Sequence, residues 1–243
     1  MTDLASQRAV VRPLLDQQSP ADAAASYYAL YHDPGRTRLF MHYDAEHQPD
    51  GFLARAQTGF DLFRPLVILR APDDDAVIAL LRAGLVAGRP YLVTLPREFS
   101  EVAMRELRVQ QPEILRIYRL DPNRYTPQIN VLVTGSKSED GLPRYEIRQG
   151  SRQLAVAGTN WRTSRFAEVY VFVDPVARGR SYGRSVVAAL ANALLNDGVL
   201  PLYVVADSNA ASIRLAESVG FVDTFAREFS CAAMLEPGRA PSE

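Results

Sequence analysis

Seven consecutive residues, Arg178-Gly179-Arg180-Ser181-Tyr182-Gly183-Arg184, set three guanidinium groups around three small residues. Guanidinium forks match planar oxyanions, and small residues let a backbone turn tightly with its amides exposed. Such a loop suits a polyanion. A second polar cluster, Asp207-Ser208-Asn209 with Ser212 behind it, offers carboxylate, amide and hydroxyl groups within six residues.

The neighbouring elements explain how these groups are held. Val169 to Val173 is a short β-branched and aromatic run, and Asp174-Pro175 stops it because proline cannot continue a ladder. After the loop, Val186, Val187, Leu190, Ala191 and Leu194 recur at helical spacing, so a helix opens with its free N–H groups facing the loop. That is the chemistry of pyrophosphate binding. Pro201 to Ala206 reads as a second strand, Asp207, Ser208 or Asn209 caps a helix from Ala210, and Gly220 stops it.

Arg178, Ser181 and Gly183 fall on the pattern Arg/Gln-x-x-Gly-x-Gly/Ala, with Ser181 in place of the first glycine. Asn209-Ala-Ala-Ser212-Ile-Arg-Leu215-Ala216-Glu-Ser-Val-Gly220-Phe221 falls on Asn-x-x-Ala-x-x-Leu-Tyr-x-x-x-Gly-Phe, with Ala216 in place of the tyrosine. In these two stretches the chain resembles the Gcn5-related N-acetyltransferase (GNAT) superfamily, over roughly residues 143 to 234. The resemblance implies an α/β (α+β) fold, a mixed and mostly antiparallel sheet flanked by helices in two GNAT-like units. It implies N-acetyl transfer from acetyl-CoA to the amine of a small molecule or peptide. It further implies that the first and second strands splay apart to admit the pantetheine arm. Val171, Val173, the loop Arg178 to Arg184 and Asn209 would contact the cosubstrate. Glu168 would be the general base that takes the amine proton, or else a structural carboxylate paired with Arg162 or Arg165, with Asp207 in reserve. Since Ala216 cannot protonate the departing thiolate, water or a hydroxyl such as Ser212 would do so. A sensor that binds acyl-CoA without turnover is the alternative, and an unrelated structural dimer subunit would require both stretches to match by coincidence.

The 243 residues carry a formal net charge of −1, so no polybasic footprint for nucleic acid or an anionic membrane is expected. Lys137 is the single lysine among the basic residues. Cys231 stands alone, which excludes an intrachain disulfide and fits a reducing cytoplasm. No apolar stretch of signal-peptide or membrane-spanning type is read, and a monomer or homodimer is expected. His32, His42 and His47 have no helical metal-pair spacing, so no metal is expected.

The first half imitates the second. Helices are expected over 3–17, 20–32, 73–85 and 98–109, and strands over 38–43, 51–57, 66–70, 91–95, 114–120 and 129–133. Val77 to Leu80 matches Val187 to Leu190 and Gly88 matches Gly198 at a constant offset, while Tyr91 and Tyr203 fall in equivalent strands, which suggests an internal duplication. Where the second copy has its arginine loop, the first has Ala71-Pro72-Asp73-Asp74-Asp75, whose carboxylates suit a helix start and repel phosphate. The polar stretch 135–143 reads as a linker or long hairpin turn. The expected domains are a degenerate GNAT-like unit, 1–134, without a cofactor loop and an acyl-CoA-binding unit, 135–243.

Overall fold

In the computed structural model, which describes residues 3–59, 61–138 and 141–236, the helices opening at Asp74 and Ala210 start where a short polar side chain, Asp73 or Asn209, accepts an amide, and strands run through the β-branched and aromatic segments. In chain order the elements are α1 (Leu4–Val11), α2 (Ala23–Ser26), β1 (Thr37–Tyr43), β2 (Pro49–Ala56), β3 (Leu66–Arg70), α3 (Asp74–Gly84), β4 (Pro90–Pro96), α4 (Ser100–Glu106) and β5 (Leu107–Leu120). They continue with β6 (Thr134–Lys137), β7 (Pro143–Gln149), β8 (Arg152–Arg162), β9 (Phe166–Val173), α5 (Tyr182–Asn196), β10 (Leu200–Ala206), α6 (Ala210–Val219) and β11 (Phe221–Leu235).

Two compact units result, residues 1–115 with 227–243, and residues 116–226. The chain changes unit within β5 and again within β11, not at the expected 134/135 boundary. Residues 135–143 lie inside the second unit because β6 and β7 pair antiparallel there, Gly135 opposite Tyr145. Of the two readings of that stretch, the hairpin turn is the one seen: the Ser138 amide donates to the Leu142 carbonyl at 2.8 Å. Glu139, Asp140 and the last seven residues of the expected second domain lie outside the described residues.

In the first unit β1, β2 and β3 are antiparallel, β3 and β4 parallel, and residues 228–234 of β11 run antiparallel to β4. Val67, Leu69, Val77, Leu80, Tyr91 and Val93 form its core with α3. In the second unit β6 to β9 form an antiparallel ladder, and β10 joins β9 in parallel. There Ala157, Val169, Val187, Leu190, Tyr203 and Ala216 close a core beneath α5 and α6. The sheet is mixed and mostly antiparallel, with helices packed on it, as the sequence implied.

The duplication has a structural counterpart. β3-α3-β4-α4 and β9-α5-β10-α6 are the same succession, each built on a parallel pair. Val77, Leu80, Val187 and Leu190 are all buried, and Gly88 and Gly198 turn with φ of 77° and 74°.

Some expected elements differ. The first two helices are broken: α1 tightens into a 3-10 turn at Arg12–Leu14, and α2 runs into a π-helical turn at Tyr27–Tyr31. Helix α4 stops at Glu106, and β5 starts seven residues earlier than expected. Residues 129–133 are not a strand. The Asn130 carboxamide oxygen accepts the Leu132 amide at 3.0 Å, folding the chain into a turn, and Ile129 and Val131 stay 96% and 92% exposed. The segment is instead fastened to α5 by Tyr125 Oη to the Ala188 carbonyl (2.9 Å) and Asn130 Nδ2 to Ser185 Oγ (3.0 Å).

Candidate active site

The arginine loop sits where β9 gives way to α5. Asp174 ends the strand and caps a short turn, Pro175–Ala177, by accepting the Val176 amide at 3.0 Å. A two-point ion pair with Arg152 (2.8 and 3.1 Å), that amide and the nearby charge of Arg178 hold the Asp174 carboxyl below the usual aspartate value. Gly179 then turns with φ of 78°, and Ser181 adopts the left-handed conformation, φ 59° and ψ 13°, immediately before the helix. Ser181 makes no side-chain cap. The first amides of α5, at Tyr182, Gly183 and Arg184, have no partner within the helix and face the loop at its positive end. Arg178, Arg180 and Arg184 are exposed around them, while Tyr182 is half-buried.

Gly183 has a second, tighter reason to be glycine. A Cβ there would lie 2.7 Å from Leu215 Cδ1 and 2.9 Å from Val173 Cγ2, so the start of α5 is wedged between the end of β9 and α6. Its small size serves packing as well as any close approach of a ligand.

Strands β9 and β10 pair over four positions only, from Phe166 opposite Leu200 to Val169 opposite Tyr203. β9 continues to Val173 and β10 to Ala206 without further pairing, which opens a wedge between them, bordered by the half-buried Val171 and Val173. Its mouth is the arginine loop and its apex is Val169/Tyr203. Glu168 and Val173 are five strand steps apart, about 16 Å at strand spacing.

Glu168 stands at that apex. The β8–β9 register slips between Thr159 and Trp161, leaving Asn160 as the extra residue of a β-bulge. The bulge turns two donors on one carboxylate: Asn160 Nδ2 donates to Glu168 Oε1 and Trp161 Nε1 to Oε2, both at 2.7 Å. Trp161 is 1% exposed and fixes the carboxylate rigidly. Of the two expected arginines, Arg162 bonds Asp197 at 2.8 Å, and Arg165 lies over the Phe166 ring. Tyr170, two residues on, lies flat across Gly158, where any Cβ would strike its hydroxyl at 2.5 Å.

Across the wedge, Ser212 Oγ and Tyr203 Oη are 2.7 Å apart. Tyr203 pairs with Val169, so its side chain leaves the sheet on the face opposite Glu168, and the carboxylate and the hydroxyl pair flank the apex from two sides. Burial raises the Tyr203 pKa, with its bond to Ser212 acting the other way. In the sequence Tyr203 stands out only as the repeat match of Tyr91; its contact with Ser212 crosses from β10 to α6, and no local spacing shows it. The helix cap is Asn209, whose side chain accepts the Ser212 amide at 3.1 Å. Asp207 is instead ion-paired with Arg116 and caps nothing. Ala216 is fully buried in the core beneath α5.

The matching corner of the first unit is built differently. Asp73 Oδ1 accepts the Ala76 amide at 2.8 Å, so a carboxylate of the chain itself already occupies the start of α3, with Asp74 and Asp75 exposed beside it. Among the described residues no group of three His, Cys, Asp or Glu side chains could hold a metal ion, and no helix is long and apolar enough to cross a membrane.

Residues 148–230 match the family model described as FR47-like protein. No curated protein sequence matches the chain. Solved structures share its fold. A GNAT-family protein from Novosphingobium aromaticivorans is 19% identical with a TM-score of 0.58, over 76% of this chain and 88% of that one. A Gcn5-related N-acetyltransferase from Kribbella flavida is 14% identical with a TM-score of 0.64, over 92% and 97%. A tandem GNAT protein from the clavulanic acid biosynthesis pathway is 13% identical with a TM-score of 0.56, over 99% and 96%. The resemblance to the GNAT superfamily read from the two sequence stretches is thereby supported, and the fold is that of these proteins.

Proposed function

We propose that the chain, which has the GNAT fold, is an acyl-CoA-dependent N-acyltransferase, most simply one that moves an acetyl group from acetyl-CoA to an amine. The observation that carries this reading is the wedge between β9 and β10, which ends at one side in an uncapped helix start ringed by Arg178, Arg180 and Arg184 and at the other in Glu168. Its two ends differ as the two ends of the substrate do. The open amides and guanidinium groups suit a diphosphate, and the unpaired edges of two strands suit an amide-bearing arm of about 16 Å.

At the apex the chain supplies a base and a hydroxyl on opposite faces. Glu168, fixed by Asn160 and Trp161, takes a proton from an incoming ammonium, directly or through one water. The amine then displaces the thiolate, and the Tyr203–Ser212 pair returns a proton to the sulfur, in place of the tyrosine that Ala216 does not provide. In the first unit the aspartates at α3 leave no room for a second diphosphate, so one acyl-CoA is bound per chain, in residues 116–226, and the first unit is a degenerate copy.

A reading as a sensor without turnover is favoured by one feature, Ala216 buried where a hydroxyl is expected. Incubation with acetyl-CoA and a panel of amines, with release of free thiol followed by absorbance, separates the two. Amine-dependent thiol release supports the enzyme; binding without release under every amine supports the sensor, and absence of binding removes both.

A further inference from the structure

In the first unit four arginines, Arg36, Arg38, Arg55 and Arg89, surround a cavity of about 170 Å³ together with Gln57. They come from four places in the chain: the turn before β1, β1 itself, the end of β2 and the turn before β4. Arg38 and Arg55 are directly opposite each other in the antiparallel β1–β2 register, on one face of the sheet. Like charges at such a position repel and weaken the strand pair. The remedies the fold supplies are partial. Arg55 Nη1 donates to the Gly84 carbonyl at the end of α3 (2.7 Å) and lies over the Phe40 ring, so it meets the negative end of a helix. Arg38 Nη1 reaches the Thr37 carbonyl at 3.0 Å. Arg89 lies over the Tyr91 ring, and Arg36 approaches Asp33 no closer than 3.8 Å. Among the described residues, Arg38, Arg55 and Arg89 form no ion pair.

We infer that this cavity binds a small, doubly charged oxyanion of the phosphate type. Its volume admits a phosphate group with a few waters, and four guanidinium forks match pairs of phosphate oxygens. The site is separate from the loop at α5 and does not rest on the acyl-CoA reading. The neutralisation it provides falls on the Arg38/Arg55 pair, so occupancy stabilises β1 against β2 as well as filling the cavity.

Calorimetry with inorganic phosphate tests it, on the full chain, in the parent, in Arg38→Gln/Arg89→Gln and in Arg178→Ala. The expected result is saturable binding in the parent, weakened about tenfold or more in the double variant, since each lost charged contact counts for roughly a factor of ten, and retained in Arg178→Ala, which removes only any phosphate held by the α5 loop. Thermal melts supply the second reading. In phosphate-free buffer Arg38→Gln alone should melt no lower than the parent, because a repulsion is removed, and added phosphate should raise the melting temperature of the parent by more than that of the variant. Loss of binding in Arg178→Ala with retention in the double variant would move the anion to the α5 loop and overturn the inference. Absence of saturable phosphate binding by the parent would do so as well.

Discussion

Glu168, Tyr203 and Cys231 each have a chemistry set by their surroundings. Glu168 receives two N–H donors at 2.7 Å, so replacing it with Gln keeps the size and removes the base. Glu168→Gln should lower turnover by about 10²–10⁴ while acetyl-CoA affinity stays within a fewfold of the parent. A parallel loss of affinity would reassign Glu168 to structure. Tyr203→Phe should slow turnover by about tenfold or more through loss of proton return, with Ser212→Ala milder because Tyr203 remains; a Tyr203→Phe variant as fast as the parent would leave water as the proton source. Burial pushes the Cys231 thiol up to about 11, and the side chain is 4% exposed. Folded protein should therefore be silent to a disulfide-exchange reagent and react with one equivalent in denaturant, which leaves a clean background for assays of released thiol. His32 gives a pH prediction. Its ring is buried against Thr37 Oγ1 at 2.8 Å, and desolvation lowers its pKa. Since the folded state disfavours the imidazolium, the stability this group contributes is complete above the ordinary value of about 6.5 and is lost as pH falls through the depressed one. Melting curves of the first unit should drop over that range, and His32→Gln should flatten the drop.

At the scale of elements, the corner β9-α5 and its counterpart β3-α3 show what was legible in the sequence. The glycine, serine and arginine pattern located the loop, and the apolar periodicity of Val186 to Leu194 located the helix, because both are local properties of the chain. The wedge was legible only through the resemblance and not from the residues themselves, since it depends on where a ladder between distant strands stops. The bulge at Asn160 likewise appears only in the register of β8 on β9. Residues 129–133 misled for the opposite reason: a β-branched run with no neighbouring strand edge is left as a turn. The difference between the two corners can be moved by substitution. Ser181 occupies the position before α5 without capping it, and aspartate tolerates the left-handed conformation. Ser181→Asp should place a carboxylate beside the helix start and weaken acetyl-CoA binding by about tenfold or more through repulsion of the diphosphate. Gly183→Ala should instead cost about 1–3 kcal/mol of stability, because its Cβ overlaps Leu215 and Val173. A Gly183 variant as stable as the parent would contradict that packing account.

For the whole chain the account is asymmetric: two units of similar succession, one with an open helix start at its strand wedge and one whose own aspartates close it. The proposed acyl transfer and the proposed single cofactor site both rest on that asymmetry. The direct measurement is a calorimetric titration of the full chain with acetyl-CoA, repeated on Ser181→Asp and on Asp73→Ser. Saturation at one equivalent per chain, weakened by Ser181→Asp and unaltered in stoichiometry by Asp73→Ser, is the predicted result. Two equivalents in the parent, or a single equivalent whose affinity ignores Ser181→Asp, would contradict it.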